Sequence, residues 1–125
     1  MPKTIHRTRA IAMRQYELAV EEAEREGRDY IELPLTQGYT TKVSLADVPK
    51  VKMLGAWCVV VSRKGDAING MTRVMHHNRG QIYVYLSRWI MGVEPEDNVT
   101  VEHVNGDRLD NRRENLIVIP MQPVF

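Results

Sequence analysis

Val99-Thr100-Val101-Glu102-His103-Val104-Asn105-Gly106-Asp107-Arg108-Leu109-Asp110-Asn111-Arg112-Arg113-Glu114-Asn115-Leu116 carries the densest chemistry of the chain, and its reading decides the fold. The opening residues predict a strand that delivers adjacent Glu102 and His103 into an Asn105-Gly106 turn. A polar loop follows, and the apolar run from Leu116 to Ile119 predicts a returning strand. Side chains alternate along a strand, so Glu102 and His103 are expected on opposite faces unless the strand twists or ends there. A carboxylate beside a neutral imidazole suits metal-assisted phosphodiester hydrolysis. The oxygen holds a hard cation, and the imidazole titrates near neutrality and takes a proton from water.

Upstream, short β segments are expected at Tyr30 to Leu35, Tyr39 to Val43, Trp57 to Ser62, Ile68 to Met75 and Ile82 to Leu86. Gln37-Gly38, Lys64-Gly65-Asp66 and Asn78-Arg79-Gly80 supply the turn residues between them, so residues 57 to 86 read as a three-stranded antiparallel meander. Between the second and third segments, Asp47 is placed to cap a short helix through Leu54, with Pro49 in its first turn and Gly55 at its end.

Residues 4 to 26 show helical spacing, with Ile5, Ala12, Tyr16, Ala19 and Ala23 near one face. Glu21 and Arg25, and Glu24 and Arg28, sit four apart in the favourable order, and Gly27 is placed to stop the helix. The alanine-rich face is thin, so the helix reads either as docked on the domain or as a contact arm. His6 has no partner at ligand spacing.

The chain has 125 residues, 43% of them hydrophobic and 26% charged, which suits one small globular domain and excludes a long multi-domain enzyme. No apolar run approaches the roughly 20 residues of a membrane helix, and no signal-peptide core is visible, so a cytoplasmic protein without a membrane partner is expected. The single Cys58, inside Trp57-Cys58-Val59-Val60-Val61, excludes a disulfide framework and reads as a buried small hydrophobe. The net charge of +1 hides segments of +4 (1 to 16), −5 (17 to 32), +6 (33 to 92) and −4 (93 to 125). The +6 block, with aromatics between its charges, suits phosphate contact. Its candidate nucleic-acid contacts are Arg63, Lys64, Arg73, His76, His77 and Arg79. The same charges also suit an ordinary solvated surface. His76 and His77 are adjacent, so on a strand they would face opposite ways and could not chelate as a pair.

The stretch from Glu102 to Leu116 resembles the HNH endonucleases of phages and mobile introns, whose pattern runs approximately Asp-His, Asn-Gly, Asp-Asn-Arg-Arg-Glu-Asn-Leu. The likeness covers residues 30 to 119. Leu33-Pro34-Leu35-Thr36-Gln37-Gly38, the short helix and Trp57 are similar to the APETALA-type sheet module that often precedes the motif. Leu86-Ser87-Arg88-Trp89-Ile90-Met91-Gly92 is similar to the family's Leu-His-Arg-x-Ile-Met-Gly segment. The resemblance implies that His103 is the general base, that Asn115 braces the loop and positions that base, and that Glu102 stands at the family's metal-binding Asp, for Mg2+ or another divalent cation. It also implies nucleic-acid contacts at Arg88, Arg112 and Arg113, although Arg112 and Arg113 also suit pairing with Glu114 and Asp110.

Three departures from the family pattern coincide: Glu at 102, Ser at 87, and Val124 where a last metal ligand would stand on a helix that Pro120 and Pro123 disfavour. The expected architecture is α+β. It consists of an amino-terminal helix (1–29), an antiparallel sheet module with short helices (30–92) and a truncated ββα-metal motif lacking its last helix (93–125). The expected function is that of a phage or mobile-element protein with weakened cleavage. It would act by binding DNA or by inhibiting a host nucleic-acid-processing protein, in the manner of an anti-CRISPR or anti-restriction factor. The alternative is an active metal-dependent DNA nicking or homing endonuclease.

Overall fold

The structure, a computed structural model, describes residues 9–121. The expected helix start at residues 4 to 8, His6, and the expectation about Val124 and a last helix lie outside the described residues. Helix α1 spans Arg9–Arg25 and buries Ala12, Tyr16, Ala19 and Ala23. It is docked rather than free. Small alanines let its backbone approach the sheet, and Tyr16 anchors it by donating its hydroxyl to Gly55 O at 2.6 Å. Burial raises the Tyr16 pKa. Arg28 lies beyond the helix end and pairs with Glu26 at 2.6 Å, so the expected pairing with Glu24 is replaced by a local one.

Strands β1 (Tyr30–Pro34) and β2 (Thr40–Ser44) form an antiparallel pair, joined by a turn in which Gln37 and Gly38 both take positive φ. A 3₁₀ turn at Leu45–Asp47 leads into the short helix α2, Val48–Lys52, with Pro49 in its first turn. Asp47 makes no side-chain cap here, contrary to expectation. Its carboxylate accepts instead from Arg113 at 2.8 Å, because a guanidinium offers a stronger, charge-assisted partner.

The meander forms as read: β3 (Cys58–Val61), β4 (Ala67–His76) and β5 (Gly80–Tyr85) are antiparallel, in that order. Cys58 is exposed, not buried. It pairs with Met71, whereas the next residue, Val59, turns inward and is buried. Helix α3 (Leu86–Met91) closes on the left-handed Gly92 and lies against the sheet at Gly70, where an added Cβ would stand 3.3 Å from the Leu86 Cβ. One buried cluster unites α1, the sheets and α3 through Tyr16, Ile31, Leu33, Val43, Trp57, Leu86, Ile90 and Leu116.

Strand β6 (Val99–His103) pairs antiparallel with β8 (Leu116–Pro120), His103 standing opposite Leu116. Between them lies a two-residue strand that the sequence does not announce, β7 (Asp110–Asn111). It runs parallel to β2, with Lys42 opposite Asp110 and Val43 opposite Asn111. This pairing draws the polar loop against the amino-terminal sheet. Among the described residues no helix is long and apolar enough to cross a membrane.

Candidate nucleic-acid site

The loop after β6 is held by side chains because it has little regular backbone pairing of its own. Gly106 takes φ 79°, which a Cβ would disfavour, and its N–H donates to His103 O at 3.0 Å. Asn105 Oδ1 accepts from Asp107 N at 2.9 Å, and Asp107 Oδ1 accepts from Leu109 N at 3.0 Å, winding the turn tightly. Asn115 is buried and ties both ends together. Its Oδ1 accepts from Asn105 N at 3.0 Å, and its Nδ2 donates to Asp110 O at 2.8 Å and to Asn105 Oδ1 at 2.9 Å.

Asp110 is only 1% exposed, and a forked pairing with Arg112 balances its charge: Nε to Oδ1 at 2.8 Å and Nη2 to Oδ2 at 2.7 Å. That pairing, helped by Asn105, holds the carboxyl at about 2, and in return the Arg112 pKa is raised. The Arg112 guanidinium also lies 5.5 Å from the Tyr30 ring centre. Arg113 bonds Asp47 and donates to Ile90 O at 3.0 Å. Arg88 donates to Val99 O at 3.0 Å and to Glu94 O at 2.9 Å. These three arginines, expected at phosphates, thus all serve internal contacts that brace the loop and α3.

Glu102 and His103 line one cleft of about 470 Å³ despite their alternation, because the strand ends at His103. The opposite wall is Ile68, Asn69 and Tyr85 of the meander, and the rim carries Gly106 and Arg108. Arg108 is exposed and was missed from sequence, although its place two residues after Gly106 was a usable signal. The principal residue missed is Asn111. It is fully buried, its Oδ1 lies 2.8 Å from His103 Nε2, and its Nδ2 donates to Thr41 Oγ1 at 2.8 Å. Ser87 is buried on α3 and does not line the cleft.

The meander carries its charges in the two turns at opposite ends of β4 and on β4 itself. Arg63, Lys64, Arg73, His77 and Arg79 are exposed. Arg73 stands opposite Tyr83, and Tyr83 (65%), Tyr85 (44%) and Met75 (74%) extend the same outer face toward the cleft. His76 ends β4 and His77 opens the turn after it, so the alternation of a strand does not separate the two rings. Their rings stack at 4.6 Å across the strand end instead of diverging. His76 lies with Glu94 and Glu96, the ligand atoms of the three within 4.8 Å of one another. That arrangement is a candidate His/Glu cation site. However, Asn78 N–H already donates to His76 Nδ1 at 3.1 Å and occupies the one lone pair of a neutral imidazole.

No curated protein and no solved structure matches the chain. The stretch that runs from α3 through the cleft and β8, residues 89–123, matches the family model of the HNH endonucleases, and this part of the chain is accordingly HNH-like.

Proposed function

We propose that the protein acts on DNA, holding it against the outer face of the meander while one phosphodiester enters the cleft, where His103 takes a proton from the attacking water. The observation that supports this reading most is the His103–Asn111 contact. A base that must accept a proton in a fixed direction needs its ring held from the other nitrogen, and Asn111 Oδ1 does so at 2.8 Å. Arg108 on the cleft rim supplies a phosphate contact, and Asn115 keeps the loop that carries both residues in shape.

Glu102 is the residue that would hold a divalent cation such as Mg2+, which supplies charge to the phosphodiester oxygens when bound. Its exposed carboxylate on the cleft suits a hard ion. Among the described residues no further His, Cys, Asp or Glu joins Glu102 and His103 at ligand distance. A single protein carboxylate leaves most of the shell to water and substrate, so cleavage is slow in this proposal. An origin in a phage or mobile element, implied by the resemblance, belongs to the same proposal.

The test is plasmid nicking in Mg2+ or Mn2+. Slow conversion of supercoiled to open-circular DNA, abolished in His103→Ala while DNA binding persists, is expected. Intact plasmid with retained DNA binding would favour the second reading, DNA binding without cleavage, for which the lone Glu102 carboxylate argues. Absence of DNA binding even at low salt would redirect the search to a host protein target. The net charge of −4 over residues 93 to 125 would favour such a target, although two of its acids, Asp110 and Glu114, are turned to Arg112.

A further inference from the structure

We infer that Thr41, on β2 of the amino-terminal sheet, is a positioning residue that sets which nitrogen of His103 carries the proton. The inference rests on the reading of His103 as the base, and it deepens that reading by tracing a chain of hydrogen bonds to a fixed end. The fixed end is the Leu109 carbonyl, which can only accept. Thr41 Oγ1 lies 2.7 Å from Leu109 O, and a hydroxyl has one hydrogen, so that hydrogen is committed to the carbonyl. Turning it elsewhere would leave two oxygen lone pairs facing each other at 2.7 Å.

Thr41 Oγ1 can therefore only accept from Asn111, which fixes the near side of the amide as the NH2 group, at 2.8 Å. The far side is then the carbonyl oxygen Oδ1, which faces His103 Nε2 at 2.8 Å. An oxygen there demands a donor, so Nε2 carries the proton and the lone pair of the neutral ring resides on Nδ1. After proton uptake both nitrogens are donors, and the same Asn111 orientation still serves. Asn111 is fully buried and Thr41 is 1% exposed, so water does not compete along this chain. The parallel pairing of β7 with β2 brings Asn111 to Thr41 across 70 residues of sequence.

Removing the Thr41 hydroxyl frees the amide to turn over. Its NH2 would then face Nε2, which becomes the acceptor, and the proton moves to Nδ1, the nitrogen that should receive it from water.

The test is the imidazole ¹⁵N spectrum of His103 at a pH where the ring is neutral, recorded without DNA or metal, together with nicking kinetics. The parent should show the unprotonated-nitrogen resonance at Nδ1. In folded Thr41→Val, part or all of that signature should move to Nε2, kcat should fall about tenfold or more with DNA affinity unchanged, and Thr41→Ser should restore both. A parent spectrum with the proton on Nδ1 would overturn the inference without any variant, as would a Thr41→Val spectrum identical to the parent's. If the parent does not nick at all, the proposed activity fails while the spectra still decide the role of Thr41.

Discussion

Asn111 Oδ1 lies 2.8 Å from His103 Nε2, and the amide that supplies that oxygen is fully buried. The contact joins the loop's most enclosed side chain to a side chain that lines the cleft. The histidine orientation is therefore a property of the protein interior, set by β7 against β2, and not of the mobile rotamers that a surface histidine would sample.

Loss of the amide should consequently be felt in stability before activity is considered. Asn111→Ala leaves Thr41 Oγ1 and His103 Nε2 without their partner and opens a cavity in a site that is fully buried. We expect a cost of about 2 to 4 kcal/mol in urea unfolding. A cost indistinguishable from zero would mean that the buried amide is replaced by water without penalty.

Asn115→Ala should also destabilise, by about 1 to 3 kcal/mol, because three hydrogen bonds that span the loop disappear together. His103→Ala should cost under about 1 kcal/mol, since the half-buried ring lines an open cleft where water can serve Asn111 Oδ1. Thermal melts of the two variants separate the roles. Equal melting temperatures, both at the parent value, would show that Asn115 does not brace the loop.

The helix, the meander and the β6–β8 pair were legible because each carries its own periodicity or turn residues over several consecutive positions. β7 was not, since Asp110 and Asn111 are two polar residues with no apolar alternation, and their pairing partner β2 is distant in sequence. The same gap hid Thr41 and Asn111 from the site, whereas Glu102, His103 and Asn115 stood in a recognisable local pattern. Asp47 and Cys58 were misread for a related reason. Asp47 sits where a cap is expected, but a guanidinium from residue 113 claims it, and Cys58 lies in an apolar run whose alternate positions face outward.

The acid limb of the stability curve should carry the mark of Asp110. Its carboxyl is held at about 2, below the usual carboxylate range, chiefly by Arg112. The ionised form is thus favoured in the folded state. Its contribution is complete above the unfolded value near pH 4 and disappears as pH falls toward 2. The expected size is about 2 kcal/mol. In Arg112→Met this acid-labile part should shrink, and the variant should be less stable than the parent at neutral pH because a buried carboxylate is left without its partner. An acid limb identical in both proteins would remove Arg112 as the cause.

Stability and DNA affinity should separate along the arginines. Arg63, Lys64, Arg73 and Arg79 are exposed on the meander, so replacing them with Ala should leave the melting temperature nearly unchanged. For every phosphate that these side chains neutralise, the substitution should flatten the log–log dependence of duplex affinity on salt by about 0.9. Arg113 behaves in the opposite way, because its guanidinium is spent on Asp47 and the Ile90 carbonyl. Arg113→Ala should lower the melting temperature by leaving the buried Asp47 carboxylate unpaired, while the salt slope stays at the parent value. Salt titrations of both proteins, run with the parent, decide between the two surfaces. An unchanged slope in the four-site variant together with a reduced slope in Arg113→Ala would move the DNA contact from the meander to the loop.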